Sequence, residues 1–175
     1  LFPYTTLFRS RAISLARLLA RDIAEPELIL ARLNDELSED NPSFMFVTFI
    51  CAVFDPGTGK LTIANGGHCR PVLIRAGEPP CWAVKNLGTA LGFDAGMEFE
   101  RTELTLRPGD SLVFYTDGVS EAFNPADECS GDDRLITDTT ALAGHAPPEL
   151  TAALLARVHA FADSAPRSAS AASSR

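Results

Sequence analysis

Short apolar runs separated by turn-forming residues fill positions 44–118 of the chain, and this alternation constrains the fold more than any other feature. The longest run, residues 44–54, is interrupted only by Thr48 and is shorter than the roughly 18 residues that a membrane-spanning helix needs. It therefore predicts a buried strand. The turns between the runs contain Gly, Pro, Asn and Asp and occupy residues 55–59, 65–68, 76–80 and 108–110. This spacing predicts a meander of antiparallel strands.

Helical patterns flank this region. The first predicted helix covers residues 11–24, the second begins at Pro26, which suits a first helical turn, and the third begins at Pro148. Their apolar residues recur at helical spacing: Leu15, Leu18, Leu19 and Ile23; Leu30, Leu33 and Leu37; Leu150, Leu154, Val158 and Phe161. Helices, a run of strands and further helices together predict an α+β layered domain rather than alternating βαβ units.

The composition is that of one globular domain with an acidic surface. A length of 175 residues and a hydrophobic fraction of 46% are enough for one core. The net charge of −8 argues against nucleic-acid binding, which draws on clustered Lys and Arg. The four cysteines form no Cys-x-x-Cys motif, so neither a disulfide framework nor a zinc site is expected. We expect a reducing cytoplasmic environment for the protein. We expect no membrane partner. These cysteines are Cys51, Cys69, Cys81 and Cys129, of which Cys51 is expected in the core.

The two ends differ from the interior. Residues 1–10 (LFPYTTLFRS) resemble the translation of a sequencing adapter joined in frame, and the alternative is a native amphipathic start. Under the adapter interpretation these residues do not belong to the predicted domain. Residues 164–175 hold nine Ser or Ala among twelve residues, which predicts a disordered tail. The predicted domain therefore covers residues 11–163.

Two places could carry chemistry. Asp117 follows a predicted strand and precedes Gly118, and residues 117–138 carry a net charge of −6. Carboxylates bind hard divalent cations, so Asp117 is a candidate ligand, although Asp-Gly is also an ordinary turn pair and acidic loops are usually solvated. His68, in a glycine-rich turn, could be a general acid or a ligand, or could simply bond its own loop backbone.

The order of the motifs is more specific than any one of them. The segments are FVT at residues 46–48, FDPGTGKL at 54–61, ANGGHCRP at 64–71, LG at 91–92, LRPGD at 106–110 and YTDGVSEA at 115–122. Together they resemble the SpoIIE/RsbU branch of the metal-dependent (PPM-type) serine/threonine protein phosphatases, over about residues 11–162. The resemblance implies a sandwich of two antiparallel sheets flanked by helices, here without its first strands and its last strand.

The resemblance also implies a reaction and a site. In this family two Mn²⁺ or Mg²⁺ ions activate a water that attacks phosphoserine or phosphothreonine. Asp117 matches one metal-ligand aspartate, whereas Asn65, Gly67, His68 and Gly118 match turns that shape the cleft. The helices of residues 11–37 match a pair that can carry regulatory signals. The implied substrate is a phosphorylated regulator of the anti-anti-sigma type in stress signalling, and an upstream sensor domain is implied in the full-length protein.

Departures from the family pattern bear on activity. The family places a Gly-Asp segment before the two helices and an Asp-Asp pair after the last helix, and neither is matched here; Asp163 is a poor substitute because no apolar strand follows it. We therefore expect the parent gene to encode a phosphatase and this chain to have little or no activity. The alternatives are a non-catalytic phosphatase-like interaction module and an unrelated acidic α+β binding domain.

Overall fold

The structure is a computed structural model that describes residues 2–39 and 41–163. The predicted disordered tail, residues 164–175, lies outside the described residues. In chain order the elements are α1 (Phe2–Leu19), α2 (Pro26–Ser38), β1 (Phe49–Asp55), β2 (Lys60–Gly66), β3 (Val72–Ile74), β4 (Cys81–Trp82), β5 (Arg101–Thr105), β6 (Ser111–Val113), α3 (Asp117–Ser120), α4 (Gly131–Ala141) and α5 (Pro147–Asp163). Two antiparallel sheets accompanied by helices confirm the predicted α+β class.

The two sheets each have three strands, in the orders β1-β2-β5 and β4-β3-β6. β1 and β2 form the expected hairpin, with Cys51 opposite Ala64. β2 then pairs with β5, with Ile63 opposite Thr102, while β3 belongs to the other sheet. The predicted meander is therefore wrong between β2 and β3, whereas the predicted turn at residues 76–80 does join the antiparallel pair β3 and β4. Pro71, which is fully buried just before β3, has no N–H to donate to a ladder, and this favours a break in the sheet at that point.

The chain divides into two compact units, each containing one sheet. The first unit comprises the chain up to Arg70 together with Ala83–Pro108, and it contains α1, α2 and the sheet β1-β2-β5. The second comprises Pro71–Trp82 and the chain from Gly109 onward, with the sheet β4-β3-β6 and the helices α3, α4 and α5.

The core of the first unit is built on α2. Leu30, Leu33 and Leu37 are fully buried, which confirms the predicted apolar face of the second helix. They pack with residues of α1 and with Leu91 in one hydrophobic cluster. Burying a leucine side chain stabilises a fold by about 1.5–3 kcal/mol, so this face holds α2 in the unit.

α1 begins earlier than the sequence predicts. It starts at Phe2 rather than near residue 11 and ends at Leu19. Phe8 and Ala12 are buried in the core cluster, and Leu15 packs against it, because the three residues share one face of the helix. The adapter origin of residues 1–10 stays a prediction, but the segment from Phe2 has helical structure and must be included in the fold.

The apolar run of residues 44–54 is not one buried strand. β1 begins only at Phe49 and lies at the edge of its sheet, so its second half, including Phe54, is exposed. The beginning of the run is shaped by a turn in which Asn41 bonds the backbone of Met45. Cys51 is only half-buried, although it packs against the core cluster, and burial raises the pKa of its thiol.

In the second unit α4 packs against α5. α5 starts one residue before the predicted Pro148, and its Leu150, Leu154 and Val158 are buried as expected. α4 was not predicted, because its only buried residues are Leu135 and Thr139 and its apolar periodicity is weak. No helix within residues 2–39 and 41–163 combines the length and apolar character that crossing a membrane requires.

Candidate functional site

Asp117 stands at the first position of α3, shortly after β6 ends. The preceding residue, Thr116, has extended backbone angles, and the helical turn begins at Asp117. The Glu121 N–H donates to the Asp117 carbonyl at 2.6 Å, and the Gly118 N–H donates to Asp117 Oδ1 at 2.9 Å. The side chain is exposed. A carboxylate held on a short turn and open to solvent can take a hard cation as a ligand.

Gly118 lies in open surroundings. An added Cβ would meet no heavy atom within 4 Å, and the residue does not have a left-handed backbone. The described residues therefore do not require a glycine there. Its assignment as a cleft-shaping residue stays a prediction, and the open space leaves room for a ligand beside Asp117.

The turn at residues 65–68 is closed by a buried asparagine. Asn65 Nδ2 donates to the His68 carbonyl at 2.8 Å, and the His68 N–H donates to Asn65 Oδ1 at 3.0 Å. These reciprocal bonds fix the path of the chain as it leaves β2. The His68 ring is bonded as well, since its Nδ1 lies 3.1 Å from Thr48 Oγ1. This geometry suits a role for His68 in shaping the turn. A function of His68 near a cleft stays a prediction.

Gly67 is required at its position by both angle and space. Its φ is +74°, in the left-handed region, and an added Cβ would lie 2.7 Å from the Ala90 backbone nitrogen. Its N–H donates to the Leu87 carbonyl at 2.8 Å. The turn is thus pressed against the segment of residues 87–90.

The sequence did not predict the second glycine of this contact, Gly88. Gly88 has a φ of +71°, and an added Cβ would lie 2.1 Å from the Asn65 carbonyl oxygen. The only signal was an isolated glycine after Leu87, which the sequence motifs do not distinguish from any loop glycine. The turn therefore depends on a partner that lies about 20 residues away along the chain.

The structure divides the predicted site residues between its two units. Asn65, Gly67 and His68 belong to the first unit, and Asp117 and Gly118 belong to the second. Across residues 2–39 and 41–163, no three His, Cys, Asp or Glu side chains form a group that could hold a metal ion. The ligand role of Asp117 stays a prediction, and the described residues do not group the several carboxylates that a two-metal site needs.

Sequence relatives agree with the predicted family. The model of the family Stage II sporulation protein E (SpoIIE) matches residues 5–168. Protein IcfG of Synechocystis sp. is 35% identical over 109 residues, which are 62% of this chain and 17% of the relative. The phosphoserine phosphatase RsbU of Bacillus subtilis is 24% identical over 96 residues, which are 55% of this chain and 29% of the relative. The chain thus spans less than a third of the length of either curated relative.

Solved structures agree on the fold. The SiaA-PP2C domain of Pseudomonas aeruginosa superposes with a TM-score of 0.79 at 17% identity, covering 93% of this chain and 65% of that chain. The catalytic domain of the serine/threonine phosphatase PstP, solved with 2 manganese ions, superposes with a TM-score of 0.60 at 16% identity, covering 90% of this chain and 74% of that chain. The family match covers well over half of the chain, and the chain therefore belongs to the SpoIIE family, in the SpoIIE/RsbU branch of the PPM-type (PP2C) serine/threonine phosphatases.

Proposed function

We propose that this domain is part of a longer protein that hydrolyses phosphoserine or phosphothreonine on a bacterial regulatory protein. The family match over residues 5–168 carries the proposal, and the exposed Asp117 at the start of α3 supports it. RsbU, one of the relatives, is itself named a phosphoserine phosphatase. A structural neighbour contains RsbU and RsbW domains together, which favours a regulator of the anti-anti-sigma type as the substrate class.

We further propose that Asp117 supplies one ligand to Mn²⁺ or Mg²⁺. Carboxylate oxygens are the ligands that these cations prefer, and a structural neighbour was solved with 2 manganese ions. When bound, a pair of such ions would lower the pKa of a water and offset charge on the phosphoryl oxygens. Asp117 itself is oriented for this role by the Gly118 N–H on Oδ1 and by the first turn of α3.

The 175-residue chain by itself should have little or no activity. A two-metal site needs several carboxylates, and residues 2–39 and 41–163 group no three candidate ligands. The same observation favours a second candidate function, a non-catalytic phosphatase-like module that binds a partner in sigma-factor or stress signalling. Under that alternative Asp117 would bind no catalytic metal.

The test is to sequence the locus through both ends of this reading frame and to express the complete natural protein. Manganese-dependent hydrolysis of a phosphoserine peptide is expected, and Asp117→Asn should reduce it by about 100-fold or more. Asp133→Asn is the matched control, because Asp133 is also an exposed acidic residue in the first turn of a helix of the second unit.

Three results would contradict parts of the proposal. Full activity of the complete protein in the Asp117→Asn variant would remove Asp117 from the metal site. Multiple-turnover hydrolysis by the 175-residue chain, abolished in Asp117→Ala, would refute its inactivity. A complete protein that lacks activity with both metals would favour the interaction module.

A further inference from the structure

Two stacked aromatic side chains are exposed beside the C-terminal end of α2, and a third exposed ring, that of Phe44, lies two residues before Phe46 in the chain. Phe44 is 77% exposed, Phe46 is 58% exposed and Phe93 is 44% exposed. The rings of Phe46 and Phe93 stack with their centroids 5.0 Å apart and an interplanar angle of 21°. Single exposed apolar residues are ordinary on a protein surface, but a group of large aromatic rings in one place marks an interaction surface.

The loop that carries Phe93 is held by the side-chain amides of Asn34, which is buried, and Asn41, which is half-buried. The fully buried Asn34 of α2 donates from Nδ2 to the Asp94 carbonyl at 2.7 Å and accepts the Gly92 N–H at 3.0 Å. Asn41 donates to the carbonyls of Gly92 and Met45 at 2.9 and 2.7 Å. A surface fixed in this way loses little conformational entropy when a partner binds.

Phe44 adds backbone strain at the same place. Its φ is +48°, in the left-handed region that a bulky residue rarely adopts, and its N–H donates to the Asn41 carbonyl at 3.1 Å. The strained backbone places a large apolar ring in solvent. Burial of that ring among the described residues therefore does not compensate for the strain. An outlier of this kind points to a function for the exposed ring.

Carboxylates surround the aromatic rings. An open groove of about 510 Å³ is lined by Asp35, Glu36, Glu39, Phe93 and Asp94, and Phe46 borders it through its stack on Phe93. We name it the acidic aromatic groove. Asp35 accepts the Gly96 N–H at 2.7 Å, but no Lys or Arg in the described part of the chain forms an ion pair with any of its four carboxylates.

We propose that the acidic aromatic groove binds a basic segment of a partner protein, in which Lys or Arg residues flank an aromatic or leucine side chain. The anchor would cover the Phe46 and Phe93 rings, and the flanking cations would face Asp35, Glu36, Glu39 and Asp94. Complementary charge steers such partners and selects among them, and arginine also stacks favourably on aromatic rings. The residues that line the groove do not include Asp117, and the proposal does not depend on phosphatase activity.

A partner other than a second copy is favoured by charge. The chain carries a net charge of −8, so two copies repel each other at long range. A cationic segment of another protein meets no such repulsion.

The test measures binding of a fluorescein-labelled peptide, Gly-Arg-Arg-Leu-Trp-Arg-Lys-Gly, to the 175-residue chain by fluorescence anisotropy at about 150 mM salt, where distant charges are screened. The control peptides replace every Arg and Lys by Glu, or replace Leu and Trp by Ser. Saturable binding is expected only for the first peptide. The dissociation constant should rise about tenfold in Glu36→Lys/Glu39→Lys and by a similar factor in Phe46→Ser/Phe93→Ser.

The matched control is Asp22→Lys/Glu149→Lys, which changes the net charge by the same amount at exposed sites outside the groove. It should leave the dissociation constant within about twofold. Circular dichroism verifies that each variant is folded. If Glu36→Lys/Glu39→Lys unfolds, Glu36→Gln/Glu39→Gln, which retains the side-chain volume, is measured in its place.

Several outcomes would overturn the proposal. The first is no saturable binding up to about 1 mM protein, a range in which even millimolar affinity would be seen. The second is an equal loss of affinity in both lysine variants, and the third is equal binding of the peptide without an apolar anchor. Self-association in sedimentation velocity that disappears in Glu36→Lys/Glu39→Lys would assign the groove to a second copy instead.

Discussion

The turn at residues 65–68 and the turn at Asp117 match motifs of the same family, but their surroundings differ. The first is largely buried, with Asn65 bonded to His68 and Gly67 pressed against residues 87–90. The second is exposed, and Gly118 has open space where a side chain would be. Substitutions in the first turn should therefore change the free energy of unfolding, whereas those in the second should change ligand binding with little effect on stability.

The largest effect is expected for Gly88→Ala. The added Cβ would lie 2.1 Å from the Asn65 carbonyl oxygen, and the backbone at Gly88 is left-handed. A steric clash with backbone together with an unfavourable φ should lower the free energy of unfolding by about 3 kcal/mol or more. Urea denaturation measures this value.

Gly77→Ala is the matched control for that prediction. Gly77 also has a left-handed φ, +77°, but nothing lies within 4 Å of an added Cβ. Its loss should be about 1 kcal/mol, from the backbone angle alone. Equal losses at the two positions would show that residues 87–90 do not press on the turn.

Asn65→Ala comes next. It removes both side-chain hydrogen bonds to the His68 backbone from a buried position. A loss of about 2 kcal/mol is expected in urea denaturation, since the turn also loses packing. Asn124→Ala removes similar local bonds from the loop before α4 in the other unit, where the bonds are exposed, and should lose about 1 kcal/mol or less. A larger loss at Asn124 would reverse the comparison.

A smaller effect is expected for Thr48→Val. The change removes the hydroxyl that lies 3.1 Å from His68 Nδ1, and Thr48 is exposed, so water can replace the bond. The free energy of unfolding should fall by about 0.5 kcal/mol. The ¹⁵N shifts of the His68 ring report the lost bond directly, and unchanged shifts would contradict the contact.

The smallest effect on stability is expected for Gly118→Ala. No heavy atom lies within 4 Å of the added Cβ, and alanine favours the first turn of α3. The free energy of unfolding should change by less than about 0.5 kcal/mol. A large destabilisation would mean that the second turn is as closed as the first.

Local patterns could be predicted from the sequence, and distant partners could not. The apolar spacing of Leu30, Leu33 and Leu37 predicted α2 and its buried face, and the turn at residues 55–59 predicted the β1–β2 hairpin. The pairing of β2 with β5 was missed, because nothing in either strand identifies its neighbour. The buried Asn34 was missed because a polar residue on a helix is ordinarily read as exposed.

The same division applies to the site. The Asp-Gly pair after a strand was enough to place Asp117 just beyond a strand, whereas the short helix α3 that begins at Asp117 was not predicted. The role of Gly88 against Asn65 was not predictable, because the two residues meet through tertiary packing and carry no joint signature. The prediction of a buried strand over residues 44–54 was wrong for a related reason. The hydrophobicity of the run predicts burial, whereas the structure exposes Phe44 and Phe46.

The pairing of β2 with β5 also has a consequence for the order in which a nascent chain folds. The β1–β2 hairpin has a short turn and can form within about 10 μs. Lys60, however, lies opposite Thr105, so one edge of β2 waits for about 45 residues more, and at 5–20 residues per second translation takes roughly 2–9 s to supply them. During those seconds both edges of the hairpin are open to other extended chains, and this is the stage of synthesis at which a chaperone would protect the protein most.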